Sequence, residues 1–502
     1  MRTLAAAVAL VVGLAAVGGA VLLVGSDDGD VEVDANVLVN PVGMLTANNS
    51  PTLARHPQQP DHLVVAHRID RPGFSALLEW SADAGATWQP TTLPLPPGTE
   101  ACLGSLEGQP CPFAPDVAFA PDGTLYVVYV HLEGAGNTPA ALWLARSTDG
   151  GRTIEAPVRV AGELTFQPRV VVGPEGTVHL TWLDAEGVAL NQLVGQARIV
   201  ASRSTDGGQS FSEPIPISDP DRLRVGAASP VIGSDGDLVV LYEDFKGNRR
   251  DFENLEGPPA EDPFALVLTR SSDDGETFSQ GMEFESGIVA TRRFLVFLPE
   301  YPSLAAGPDG ALYASWSDGR NGDEDVFVRR SGDAGSTWED PVRVNDNAVG
   351  DSTEQYLPRL SVAPGGRVDV LFYDRRRDPS NILADVFLGT STDGGRSFTN
   401  RRVSSEPFDS RVGPTFGPDY GTDFGTRIGL DSTDDGAYGT WTDTRLGSDS
   451  TGRQDIFGAP VNGLGASGIP LWVVIAGLAV AGALVAWFIL GSSRRPKGRK
   501  QA

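Results

Sequence analysis

Cysteine is almost missing from this chain: two residues in 502, Cys102 and Cys111. Two thiols cannot make a usual zinc site, and the five histidines (His56, His62, His67, His131, His179) show neither an HExxH pattern nor any paired ligand spacing. No resident metal is expected. Lysine is scarcer still along most of the chain, Lys246 being the only one between residues 27 and 467. Acidic residues, in turn, are absent from both ends. Residues 1–26 and 468–502 carry no Asp or Glu and six basic residues, so the middle sets 33 basic residues against 65 acidic ones. Such a surface repels phosphate backbones, which excludes nucleic acid as a partner.

What is abundant is glycine (60) and proline (37), together with 21 Phe, 9 Trp and 9 Tyr. Many tight turns between short aromatic-bearing strands are expected, and the 40% apolar content excludes disorder as a description of the whole. Two long apolar runs stand apart. Thr3 to Val24 follows a single Arg2, so residues 1–26 fit a signal peptide or an uncleaved N-terminal anchor. Residues 469–490, IPLWVVIAGLAVAGALVAWFIL, would span about 33 Å as a helix, with Trp472 and Trp487 near its ends and RRPKGRK after it. The expected order is therefore an outward-facing domain at 27–463, a linker at 464–468, a transmembrane helix at 469–490 and a basic cytoplasmic tail at 491–502. Pairing of Cys102 with Cys111, nine apart in a Gly/Pro-containing loop, suits an exported chain.

An octapeptide recurs six times: SADAGATW at 81, STDGGRTI at 147, STDGGQSF at 204, SSDDGETF at 271, SGDAGSTW at 331 and STDGGRSF at 391. Its aspartates are Asp83, Asp149, Asp206, Asp273, Asp333 and Asp393. A period near 60 made of short strands means propeller blades. Alternating strands precede each copy (ALWLARS, ALVLTRS, DVFVRRS, DVFLGTS), so the octapeptide reads as a hairpin turn. Its glycine takes a backbone conformation closed to other residues, its carboxylate fixes the turn, and its closing aromatic packs into the blade. Six near-identical copies cannot all be active sites, so these aspartates are structural. Upstream of every copy lies a strand pair led by Pro51, Pro115, Pro168, Pro230, Pro302 or Pro358, and a seventh pair starts at Arg427 without an octapeptide. Seven pairs against six turns imply that the last blade lacks its outer strand and that VEVDANVLV (31–39) supplies it. The expected fold is an all-β, seven-bladed propeller of four-stranded antiparallel blades; six blades is the alternative if a terminal unit is only a cap.

The six S-x-D-x-G-x-[ST]-[WF] copies resemble the Asp-box (BNR) repeats of the sialidase superfamily over about 30–463. That resemblance implies three arginines clamping a substrate carboxylate, an Asp acid/base, and a tyrosine nucleophile activated by a neighbouring carboxylate. The family's first arginine lies in an Arg-Ile-Pro motif; here that place reads Asn49-Ser50-Pro51, and His67-Arg68-Ile69-Asp70 matches it only superficially. An Asp-x-Arg…Asp-[Val/Ile]-Phe pattern recurs in three blades, joining Asp318 and Arg320 to Asp325-Val-Phe327, Asp374 and Arg376 to Asp385-Val-Phe387, and Asp443 and Arg445 to Asp455-Ile-Phe457. These arginines and aspartates either staple blade to blade or ring a ligand such as an anionic sugar. Glu300 with Tyr301, and Glu354 with Tyr356, are the candidate catalytic Tyr–carboxylate pairs. Asp419-Tyr420 and Asp423 sit on another entering loop, and the charged insert 246–263 shares that face. No cofactor is expected, although DGRNGDED (318–325) has oxygen atoms enough for Ca²⁺ without EF-hand spacing. Two functions follow: a membrane-anchored propeller binding a glycan or protein without hydrolysis, or a surface exo-glycosidase of sialidase type.

Overall fold

The computed structural model describes residues 31–43, 45–100, 102, 111–134, 137–189, 192–248, 263–289, 301–414 and 424–465. Residues 33–462 form one compact unit. The apolar runs at 3–24 and 469–490 lie outside the described residues, among which no helix is long and apolar enough to cross a membrane.

Seven antiparallel sheets follow one another along the chain. Blade 1 is built from Ala47–Arg55, Leu63–Arg71, Ser75–Ser81 and Gln89–Thr92, the last being outermost. Blades 2 to 6 repeat the order over 111–161, 165–216, 225–288, 303–343 and 355–402. Blade 7 takes Gly429–Ser432, Gly436–Asp443 and Asp455–Asn462, and Glu32–Val33 and Val37–Leu38 complete it, with Val37 opposite Gly458. Seven blades closed by the N-terminal strand is what the mismatch between pairs and turns implied. Second strands lie between neighbouring blades and are buried on both faces, so Val368–Asp374 reads VDVLFYD and every residue is inside. Outer strands such as Gln89–Thr92 bury one residue in four.

All six octapeptide turns share one geometry. The box aspartate accepts the hydroxyl of the box serine at 2.7–2.8 Å and the backbone N–H four residues on at 2.8–3.0 Å. Its other oxygen accepts the Thr or Ser hydroxyl of that same residue. The serine oxygen accepts the N–H of the box glycine. Not only that glycine but also the residue before it has positive φ (Ala84, Gly150, Gly207, Asp274, Ala334, Gly394), one more than the sequence pattern suggested. A non-glycine residue there costs about 1–2 kcal/mol, which the hydrogen bonds of the turn offset. The preceding blade also reaches across to the box backbone. His62 meets the carbonyl of Gly150, Arg146 that of Gly207, Arg203 that of Asp274, Arg270 that of Ala334 and Tyr438 that of Gly85.

Strand directions sort the connections onto two rims. The boxes, joining third to fourth strands, share a rim with the turns between first and second strands. Loops that enter the first strands, and those joining second to third, lie on the opposite rim.

Candidate functional site

The first strands of the seven blades surround the hub, and five of them are irregular near their start. Register shifts fall at Asn49/Thr52, Phe113/Asp116, Phe166/Arg169, Gly226/Ser229 and Tyr356/Arg359. Each shift holds one non-glycine residue at positive φ: Ser50, Ala114, Gln167, Ala227 and Leu357. Such bulges re-aim the side chains beyond them. In blades 1, 2, 3 and 6 the next residue is the blade-leading proline. The one after it (Thr52, Asp116, Arg169, Arg359) lines a hub cavity of about 230 Å³ to which all seven blades contribute. Tyr301, directly before Pro302, and Arg427, which leads the seventh pair, complete its polar wall.

Three guanidinium groups therefore share this space with one carboxylate. Asp116 accepts the N–H of Val170 at 3.0 Å and lies 3.4 Å from Arg169. Among the described residues, Arg359 and Arg427 have no hydrogen-bond or ion-pair partner, and the Nε atoms of Arg169 and Arg427 are buried without an acceptor. Burial first, and mutual repulsion with Arg169 second, push Arg359 down to about 10. Burial likewise pushes Arg427 down to about 10. Both remain charged at neutral pH. The Tyr301 ring sits 5.4 Å from the guanidinium carbon of Arg169 and 5.9 Å from that of Arg427. Burial raises its hydroxyl above the ordinary value, which the arginines offset only in part. A pocket with surplus positive charge and a phenol, in which Arg169 and Arg427 are buried and Arg359 and Tyr301 half-buried, is chemically suited to hold an anion.

The recurrent Asp-x-Arg pattern lies outside this hub. Arg320 donates to Asp318 at 2.6 Å and to Glu285 of blade 4 at 2.7 Å, and it stacks over Phe327. Arg376 donates to Asp374 at 2.7 Å, to Asp346 and to Asn400, and stacks over Phe387. Arg445 donates to Asp443 at 2.6 Å, to Ser405 and to Asn36, and stacks over Phe457. The two halves of the pattern thus meet: its arginine covers its own phenylalanine, and the facing aspartates stand opposite one another in register.

Of the proposed Tyr–carboxylate pairs, Glu300 falls outside the described residues, as do Asp419, Tyr420, Asp423 and insert residues 249–262. Glu354 pairs with Arg375, whose guanidinium also covers the buried ring of Tyr356, itself packed 5.2 Å from Tyr373. Cys102 and Cys111 form a disulfide. Within 318–325, Asn321 donates to Asp325, which also receives Arg343 and Asn345. Among the described residues no group of three or more His, Cys, Asp or Glu side chains is placed to hold a metal ion. Reasoning from sequence named Tyr301 but passed over Asp116, Arg169, Arg359 and Arg427. Their signal was positional, being the first residue after a blade-leading proline or, for Arg427, the unit's own first residue.

A family model described as BNR repeat-like domain matches residues 46–313. No curated protein sequence matches. Similar solved structures include a protein of unknown function from Dyadobacter fermentans (14% identity, TM-score 0.48, covering 86% of this chain and 99% of that one). An ulvan lyase from a new family of polysaccharide lyases is 12% identical at TM-score 0.49, over 85% of this chain and 96% of its own. The endosialidase of phage phi92 is 12% identical at TM-score 0.48, over 88% and 70%.

Proposed function

We propose that this chain, which belongs to the BNR repeat-like family, is a membrane-tethered, outward-facing propeller that holds a carboxylate-bearing ligand in its hub without cleaving it. One observation carries the reading: Arg169, Arg359 and Arg427 face a single carboxylate, and two of the three have no partner among the described residues. Burying unpaired charge is costly, so such a cluster is best explained by an anion that arrives from outside. Our reading of binding without hydrolysis is supported by the charged groups nearest the Tyr301 ring among the described residues, which are the guanidinium groups of Arg169 and Arg427, and by Asp116 being held by Arg169 and the N–H of Val170. Tethering rests on residues 469–490 and the RRPKGRK that follows.

The test is calorimetry on the full-length chain in detergent with glucuronate and N-acetylneuraminate, against the neutral sugars glucose and N-acetylglucosamine. The sugar acids should bind and the neutral sugars should not. Arg359→Ala or Arg427→Ala should weaken binding by about 10- to 150-fold, the equivalent of a lost hydrogen bond to a charged group. Neutral sugars binding equally well, or unchanged affinity in both variants, would overturn the reading. A second reading, exo-glycosidase of sialidase type, is favoured by Tyr301 and Asp116 sharing the cavity with three arginines, the residue types that the sialidase resemblance implies. Turnover of a fluorogenic sialoside that disappears in Tyr301→Phe would put that reading first.

A further inference from the structure

The strongly exposed large apolar side chains are distributed on one side only. Leu95, Leu223, Val289 and Val349 stand on loops that run from an outer strand to the next blade's first strand, and two more lie on the 41–46 segment. Leu383 and Leu446 stand where second strands pass to third strands. Both kinds of connection belong to the rim opposite the boxes. Among the described residues no strongly exposed large apolar side chain lies on the box rim. Single exposed leucines need no explanation, but a set confined to one rim, spread round the hub cavity, marks an interaction surface.

We infer that this rim docks a protein, which inserts a carboxylate between Arg359 and Arg427 while its surface packs on the surrounding aliphatic side chains. The inference rests on the anion-holding reading of the hub and names the class of partner. Charge complementarity supplies the centre: arginines without a partner among the described residues, one buried and one half-buried, make an anchor, and apolar neighbours that exclude water strengthen it. Composition chooses protein over polysaccharide. Among the described residues, every one of these exposed positions is Val or Leu, and none of them offers the flat aromatic face on which a sugar ring packs. The inserted group is an Asp or Glu side chain, or the partner's own C-terminal carboxylate.

The experiment places a photo-reactive benzoylphenylalanine at Leu223, Val349 or Leu446 of the full-length chain in its own cells, with Ser210 in a box as the control. Rim positions should give protein adducts at least tenfold above the control. The adducts should vanish in Arg359→Ala and Arg427→Ala chains whose melting temperature is unchanged. The cross-linked segment, made as a peptide, should bind the purified full-length chain. Amidating either its C-terminus or its acidic side chains should abolish that binding, and which of the two does so identifies the source. Absence of protein adducts at the rim, adducts only to glycan, or adducts indifferent to both arginines would each sink the inference. If sugar acids still bind the hub in that case, the hub reading stands and this one alone falls.

Discussion

Each box aspartate acts as a local clamp, and its chemistry was readable because six copies repeat it. Asp333 takes the Thr337 hydroxyl, the Thr337 N–H and the Ser331 hydroxyl. Those bonds, the Thr337 hydroxyl foremost, push its carboxyl down to about 2. A pKa depressed in the folded state gives stability that is full above about 4 and lost as pH falls toward 2. Asp333→Asn should therefore flatten the acid limb of a plot of melting temperature against pH; an unchanged limb contradicts the clamp. Gly335→Val should be more damaging at every pH. Its φ is 92°, and an added Cβ would meet a Leu268 methyl at 2.7 Å. Backbone strain alone would cost about 1–3 kcal/mol, read from denaturant midpoints, and the hub site on the opposite rim should bind normally per folded molecule. The opposite pH behaviour is expected from His67 and Glu79, a fully buried pair 2.9 Å apart in blade 1. Burial opposes charge on the imidazole, but the Glu79 carboxylate outweighs it and raises His67 above its ordinary value of 6.5. A raised pKa gives stability that is full below about 6.5 and lost as pH climbs through the folded value. The melting temperature should fall on the alkaline side, and less steeply in His67→Gln/Glu79→Gln; equal slopes would remove the pair from the account. The hub arginines were harder to see for the opposite reason. The residue after the blade-leading proline is Thr, Asp, Arg, Val, Ser or Arg in successive blades, so a search for repetition passes over a site made by breaking it.

At the scale of strands, the Asp-x-Arg pattern shows what periodicity reveals and what it conceals. Its spacing was plain, yet its two halves sit on different strands, and only the antiparallel register brings Arg445 over Phe457 and Asp443 opposite Asp455. The partners that reach beyond the blade were invisible from the pattern. Arg445 also holds Asn36 beside the N-terminal closing strand, and Arg320 holds Glu285 of the previous blade. Removing such an arginine leaves a fully buried aspartate unpaired. Arg445→Ala should then cost about 3–5 kcal/mol, measured by denaturant unfolding, whereas Asp443→Asn with Arg445→Gln should recover part of it. Normal stability with altered sugar-acid binding would instead return Arg445 to the list of ligand-holding groups.

For the whole molecule, count and topology were legible because six blades each leave both a box and a proline-led pair and the seventh leaves a pair led by Arg427, and the ring-closing strand followed from the missing seventh box. Orientation in the cell is the remaining expectation. Protease added to intact cells should release the propeller and leave the basic tail protected, and a protected propeller would contradict tethering on the outer side. The clasp is open to a direct test. Deleting residues 31–39 exposes Asp455–Asn462 as an unpaired edge, so the chain should melt earlier and associate, and a synthetic 31–39 peptide should reverse both effects. The clasp also imposes a schedule. Asn462 bonds Asp34 across 428 positions of chain, so at ribosomal speed the first strand waits roughly 20–90 s for its partner to be made. During that interval the finished edge of another copy can arrive first. The yield of monomer against swapped dimer is thus set by the pace of translation as well as by the energy of the closed ring, and slowing elongation should shift it toward dimer.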